Sequence, residues 1–339
     1  MPILTGDDFT AFSVIKLNEL GQFMDGLAAE ARPVPSQRQV LAQFLKGKIS
    51  LPPGTTDVFV WVHGWQTGTD RAVANAQRLF ANLASWLSHE QARYPRLAGC
   101  VPAFVAILWP SVSTPGLVGY RQIRDRATAM TTAGHAASFL ASLLGYLDAN
   151  NVREPNRKLL RAKGGFYVHC LGHSFGGRFL TAAIQAAAAP TDPPRRLLSA
   201  AHRDTQFAFT VDSLCVLQMA APATAFGEEF LALLDRSPLS GPIVLTHSAY
   251  DRALCFWHGA SEFEAGIGCR GALTPAQRIG AIALKSPAMP YSDQDFAADI
   301  TNVDASARFT DGGAIEGAHS DFWHEETFHL IASIAEQVR

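Results

Sequence analysis

An α/β fold, with a mostly parallel sheet covered by helices on both faces, is the architecture this sequence predicts, and three observations predict it. From residue 57 onward, short apolar runs of strand length alternate with longer segments of helical spacing, the pattern of βαβ units. The short runs, such as DVFVWVH at 57–63 and AFVAIL at 103–108, are continuous rather than alternating, which suits strands buried on both faces. Finally, the 339 residues are 48% hydrophobic and only 17% charged, enough apolar material to fill a core on each side of a sheet.

The same composition excludes several roles. Net charge is −2 with no basic run, so a nucleic-acid partner has no electrostatic footprint. No window is long and apolar enough to span a bilayer. The opening MPILTGDDFTAF lacks a basic stretch followed by an apolar run, so no signal peptide is read and the cytoplasm is the expected location. The 5 cysteines are an odd number in a long chain, not a disulfide framework. Cys170 and Cys215 lie inside strand patterns and are expected as buried thiols. Cys255 and Cys269 share one irregular segment, and whether they pair is left open.

Residues 1–54 are expected to be a helical extension packed on the core. Helical spacing is read over 17–31 and 37–45, broken by Pro33 and Pro35. The extension covers a core face or joins copies of the chain; the oligomeric state is not set by the sequence. The strand at 57–63 ends in His63-Gly64-Trp65-Gln66 and leads to a helix at 71–87. The strand at 103–108 ends in Trp109-Pro110-Ser111, followed by a loop with Pro115, Gly116 and Gly119, and a helix pattern over 120–147. A strand at 166–171 precedes Gly172-His173-Ser174-Phe175-Gly176 and a helix at 179–189. Residues 190–204 are polar and Pro-rich, a surface connection. A strand at 213–219, a helix at 226–234 and a strand at 242–247 follow, then Ser248-Ala249-Tyr250-Asp251. Residues 252–310 are irregular, a cap or pocket segment. A last short strand is expected at 308–311, and a helix at 325–338.

The chemistry centres on the strand–Gly-x-Ser-x-Gly–helix stretch, the context of a nucleophile elbow. A serine on such a strained turn stands clear of the backbone, the glycines leave room for close packing, and the helix start brings N–H donors near a developing oxyanion. A serine hydroxyl is a weak nucleophile and needs a base, which needs an orienting acid. In chain order the sequence offers Ser174, then Asp251 after a strand, then His319 before the last helix. Asp212 precedes its strand and belongs at the other sheet edge. His173 is expected to point away from Oγ and support the elbow. His63 and His247 read as structural strand-end residues. His324 and His329 lack the H-E-x-x-H spacing of a metal helix, so no metal site is read.

Together, His63-Gly64, Trp109-Pro110-Ser111, His173-Ser174-Phe175-Gly176, Ser248-Ala249-Tyr250-Asp251 and His319-Ser320 resemble the α/β-hydrolases, and within them a little-characterised group with HG, WPS, HS-x-G, S-x-x-D and HS motifs. The resemblance covers roughly residues 55–339. It implies a Ser174–His319–Asp251 triad and an oxyanion hole from the N–H groups of Phe175 and Trp65. The expected function is a serine hydrolase that cleaves a carboxylic ester, or a related acyl bond in a small molecule, through an acyl-enzyme on Ser174. It needs no metal or organic cofactor. Acyl transfer, thioester or amide cleavage, and a non-catalytic binding module remain as alternatives. His63, Gly64, Trp109, Tyr120, His173 and Trp257 are expected around the substrate. Residues 111–120 and 252–310 are expected to wall an acyl-chain pocket through Leu117, Val118, Phe256, Phe263 and Phe296.

Overall fold

The computed structural model describes residues 11–114, 116–149, 166–188, 209–235, 238–313 and 316–339. Eight strands form one sheet: β1 (Ser13–Lys16), β2 (Asp57–Val62), β3 (Pro102–Leu108), β4 (Tyr167–His173), β5 (Ser213–Leu217), β6 (Ile243–His247), β7 (Ile279–Ala283) and β8 (Ile300–Asp304). Their order is β1-β3-β2-β4-β5-β6-β8-β7, and all pairings are parallel. This is the α/β-hydrolase arrangement. The continuous apolar runs follow from cover on both faces. Val58, Val60 and Val62 of β2 share one core with Ala103, Val105 and Ile107 of β3. That core is covered by α1 (Arg38–Lys48), α3 (Gly116–Thr132), α4 (Ala136–Ala149) and α5 (Phe175–Ala188). Phe59 and Trp61 face the opposite core, with Phe104 and Ala106, under α2 (Thr69–His89) and α9 (Glu325–Gln337). No helix among the described residues is long and apolar enough to cross a membrane.

The N-terminal region differs from the expected helical extension. Residues 13–16 add an edge strand to the sheet, and 17–31 form turns and isolated bridges rather than a helix. The cause is local: the Asn18 side chain accepts from the N–H groups of Leu20 and Gln22 at 3.0 and 2.9 Å, a turn that competes with helix hydrogen bonding. This segment also breaks the helix expected over 120–147. The His135 N–H donates to Leu20 O at 2.8 Å, and a Cβ on Gly134 would meet Leu20 O at 2.9 Å. Hence α3 ends at Thr132 and α4 starts at Ala136.

Residues 252–310 are likewise not one irregular cap. Their first part holds a π-helical turn (Ala253–Trp257), α7 (His258–Glu262) and α8 (Ile267–Arg270) near the strand ends; their second part supplies β7 and β8. These strands escape a hydropathy reading because β7 is a half-exposed edge and β8 carries Thr301 and Asn302. The Asn302 side chain bonds the backbone N–H and C=O of Ala272 at 2.9 and 2.8 Å. The strand expected at 308–311 is a turn, with Arg308 and Phe309 N–H both donating to Ala305 O. The helix expected at 226–234 is a 3₁₀ turn (Ala225–Gly227) followed by the short α6 (Leu231–Asp235). The 190–204 connection lies outside the described residues.

Candidate active site

Ser174 sits between β4 and α5 at φ 54°, a left-handed backbone conformation that a non-glycine residue rarely holds. The neighbours enforce it. The Ser174 N–H donates to Leu217 O at 3.0 Å, while Ser174 O accepts from Gly177 and Arg178 at 3.1 and 3.2 Å. A Cβ on Gly176 would lie 2.0 Å from His63 O, so the turn closes only with glycine there.

Strand pairing brings the first oxyanion candidate alongside. β2 and β4 are neighbours in register, Val62 opposite Gly172, so Gly64 and Trp65 emerge beside Ser174. A Cβ on Gly64 would stand 2.6 Å from His173 Nδ1 and 3.1 Å from Ser174 Cβ. The Trp65 loop is pinned by Trp65 Nε1 donating to Ser113 Oγ at 2.6 Å and by Gln66 N–H donating to Ser111 O at 3.0 Å. Among the described residues, the Phe175 and Trp65 N–H groups donate no backbone hydrogen bond.

Asp251 and His319 arrive on two loops that hold each other. Ser248 Oγ accepts from the Tyr250 N–H at 3.1 Å, and the Asp251 N–H donates to Ser248 O at 3.0 Å. This tight turn follows β6 directly, and the Leu254 N–H donates to Asp251 Oδ1 at 2.9 Å. Ala318 N–H donates to Tyr250 O and Ala253 N–H to Glu316 O, fixing the His319 loop before α9. As a result Ser174 Oγ donates to His319 Nε2 at 2.7 Å, and His319 Nδ1 donates to Asp251 Oδ2 at 2.8 Å. Ser174 and Asp251 are buried; the His319 side chain keeps 12% exposure.

Electrostatics follow from this geometry. Burial lifts the Asp251 carboxyl above its ordinary value, opposed by the charge and hydrogen bond of His319, the Leu254 N–H and Gln218. Burial opposes a charged His319, but the charge and hydrogen bond of Asp251 outweigh it and hold that imidazole above its ordinary value. Three donors converge on the Asp251 carboxylate, His319 Nδ1, Gln218 Nε2 and the Leu254 N–H, and a proton there would strand one of them, so the pair favours charge on the imidazole. His173 is different. Burial first, then the neighbouring His319, lowers it to about 3, so it is neutral. Its Nε2 donates to His319 O at 2.9 Å, and its ring packs against His319 and Phe322. It braces the base and does not contact Oγ. His63, lowered to about 4 by burial, accepts the Trp109 N–H at 3.2 Å and donates to Gly64 O at 3.0 Å. Trp109 Nε1 donates to His63 O at 2.8 Å and its ring stacks on Phe179. His63 and Trp109 thus form the frame beneath the loop.

Of the other expected wall residues, Tyr120 is buried against Phe175, Trp65 and His258, with ring centroids 4.7, 5.7 and 5.9 Å apart. Trp257 is half-buried and packs on the core beside Phe256. Val118, Phe256 and Phe263 stand out in solvent, Phe263 at 94% exposure. Phe296 lies under the opposite core, stacked on Tyr291 and bordering a hollow of about 250 Å³ with Arg93 and Glu336. His324 Nε2 bonds Asp321, and His329 bonds Tyr94 and Met289 O. His247 is held below its ordinary value by burial. Cys255 and Cys269, whose pairing the sequence leaves open, form a disulfide with a Cα separation of 5.1 Å. Disulfides persist in oxidising compartments and are rare in the cytoplasm, so this pair and the expected location point different ways.

One residue of the site has no motif. Gln218, the first residue after β5, is fully buried at φ 49°. Its Nε2 donates to Asp251 Oδ2 at 3.0 Å and to Ala318 O at 2.9 Å, so one amide ties the acid to the loop of the base. The only signal in the sequence is a polar residue closing an apolar strand. No protein-family model matches this chain, and no curated protein matches it in sequence.

Proposed function

We propose that the protein is a serine hydrolase that cleaves a carboxylic ester, with Ser174 as nucleophile. The observation that carries this reading is the unbroken line from Ser174 Oγ through His319 to Asp251, at 2.7 and 2.8 Å, on a serine held at φ 54°. His319 takes the Ser174 proton as Oγ attacks the ester carbon. Asp251 fixes the proton on Nδ1, which leaves Nε2 as the acceptor, and stabilises the imidazolium. The Phe175 and Trp65 N–H groups receive the oxyanion. The imidazolium then protonates the departing alcohol. Water, deprotonated by the same imidazole, releases the acid and restores Ser174.

A fluorophosphonate probe tests the reading. Wild-type protein should label once, at Ser174, and should release nitrophenol from short p-nitrophenyl esters. A folded protein that neither labels nor turns over any ester in a series of acyl lengths would end it.

A further inference from the structure

Asp251 leads into a segment with little regular structure of its own. After it come the π-helical turn (Ala253–Trp257), α7 and α8, of five, five and four residues. Helices this short do not hold themselves in water, so their place depends on what ties them down. One tie is covalent. The Cys255–Cys269 disulfide joins the π-helical turn to α8 across 14 residues of sequence, with α7 inside the loop. Both cysteines are partly exposed, as exchange with a thiol in solution requires.

Each cysteine also sits beside a group that holds Asp251. The Cys255 N–H donates to Asp251 O at 2.9 Å, and the N–H of its neighbour Leu254 donates to Asp251 Oδ1 at 2.9 Å. Gly268, the residue before Cys269, accepts the Ser248 N–H at 2.9 Å and donates its own N–H to Met219 O at 3.0 Å. Ser248 opens the turn that carries Asp251, and Met219 follows Gln218, which donates to Asp251 Oδ2. A Cβ on Gly268 would lie 2.3 Å from Leu254 Cδ1 and 2.7 Å from the Gln218 carbonyl carbon. So α8 is wedged between two residues that bind the carboxylate, and the disulfide closes a clasp around Asp251. The other cysteines have no such link to the site: Cys170 and Cys215 are buried in strands, and Cys100 bonds Asp57.

We propose that the Cys255–Cys269 disulfide positions Asp251 and puts the hydrolase under redox control, competent with the pair oxidised and slowed with it reduced. The proposal rests on the hydrolase reading and adds to it a control of the acid. A dithiol supplies the electrons. One of its thiolates attacks a sulfur of the pair, displaces the other cysteine as a thiolate and forms a mixed disulfide. Its second thiol then displaces the bound cysteine and closes a cyclic disulfide. Two electrons and two protons pass to the protein, which ends with two cysteine thiols. With the clasp open, the carboxylate is no longer fixed between the Leu254 N–H and Gln218. Ser174, Trp65 and Phe175 stand on other elements and keep their places. The imidazole loses orientation while the binding surface stays, so kcat falls and KM does not. An oxidising compartment keeps such a pair closed and a reducing one opens it.

The test compares oxidised wild-type protein, wild type reduced with dithiothreitol, and the Cys255→Ser/Cys269→Ser double variant, each followed by thermal unfolding. Thiol titration of the unfolded chains should count 3 thiols in the oxidised protein and all 5 in the reduced one. The readouts are the rate of fluorophosphonate labelling at Ser174 and the turnover of ethyl butyrate. Reduction should slow both roughly 10- to 100-fold, the worth of one hydrogen bond to a charged group, with KM little changed. Oxidised glutathione should restore the rate. The double variant should be slow with or without dithiothreitol. Its activity should rise with pH through a midpoint nearer 6.5 than that of the wild type, because Asp251 then holds His319 less firmly; a purely structural staple would leave the midpoint in place. Reduced wild type at full activity, or a double variant as fast as wild type with the same midpoint, would overturn the control and leave the disulfide a staple. Loss of the whole fold on reduction would overturn it too, since the effect would not then run through Asp251. Oxidised, folded protein that neither labels nor turns over an ester would overturn the hydrolase reading and the switch with it.

Discussion

Among the described residues stand two sets of Ser, His and Asp with similar distances and opposite characters. At the strand C-termini stand Ser174, His319 and Asp251. At the other end of the sheet, His169 on β4 bonds Ser213 Oγ through Nδ1 at 2.9 Å and Asp57 Oδ1 through Nε2 at 3.1 Å. All three are essentially fully buried. Ser213 starts β5 directly across from His169, in ordinary strand backbone. Asp57 is already engaged by Arg339, Thr56 and Cys100. Ser174, in contrast, sits on a left-handed turn beside two N–H groups that donate no backbone hydrogen bond, and its base faces it through Nε2. Residue types and spacing are shared; strain, such backbone donors and a partly exposed imidazole are not. On the proposed reading the first set reacts, whereas the second closes the far edge of the core.

The sharpest way to break this contrast is to remove the two serines separately. Ser174→Ala should abolish fluorophosphonate labelling and lower kcat on the order of 10⁴-fold or more, whereas Ser213→Ala should label in full. Equal loss in both, with both folded, would erase the distinction. The acids come next. Asp251→Asn should lower kcat about 10⁴-fold with little change in KM, because the amide favours the wrong tautomer. Asp57→Asn should leave turnover per folded molecule near wild type and cost about 3–5 kcal/mol of stability in urea unfolding, since Arg339 and His169 lose their partner.

Gln218→Ala should be milder than either acid. It removes one hydrogen bond to a charged group, worth about 1.5–3 kcal/mol, so kcat should fall roughly 10- to 100-fold while KM barely moves. A change in KM alone would assign Gln218 to substrate binding instead. The smallest effects are in pH. His319 must be neutral to accept a proton, and Asp251 holds it above its ordinary value of 6.5. Activity should therefore rise with pH through a midpoint above 6.5, and a midpoint at or below that value contradicts the pair. Asp57 acts on stability in a different range. Burial would raise its carboxyl, but His169 and Arg339 outweigh burial and hold it below 3.8. That stability is present above 3.8 and is lost as pH falls through the lowered value. Asp57→Asn should flatten this acid loss in thermal unfolding.

The sequence by itself determined the sheet class, the elbow and the order of the three site residues. These are local signals: runs such as 57–63 are apolar throughout because each strand is covered on both faces, and Gly-x-Ser-x-Gly is set by steric limits within one turn. Its failures are also local in origin. The Asn18 turn imitates a helix in hydropathy, and the edge strand β7 and the polar β8 lack the burial that makes a strand visible. Only tertiary structure decided what meets what. The pairing of β2 with β4 put Trp65 beside Phe175, 110 residues away. The chain's return after β8 put His319 between Ser174 and Asp251. Gln218 acquired its two acceptors, and Tyr120 its ring contact with His258, from elements distant in sequence. No periodicity records such contacts, because hydropathy reports how much of a residue is buried and not which residue buries it.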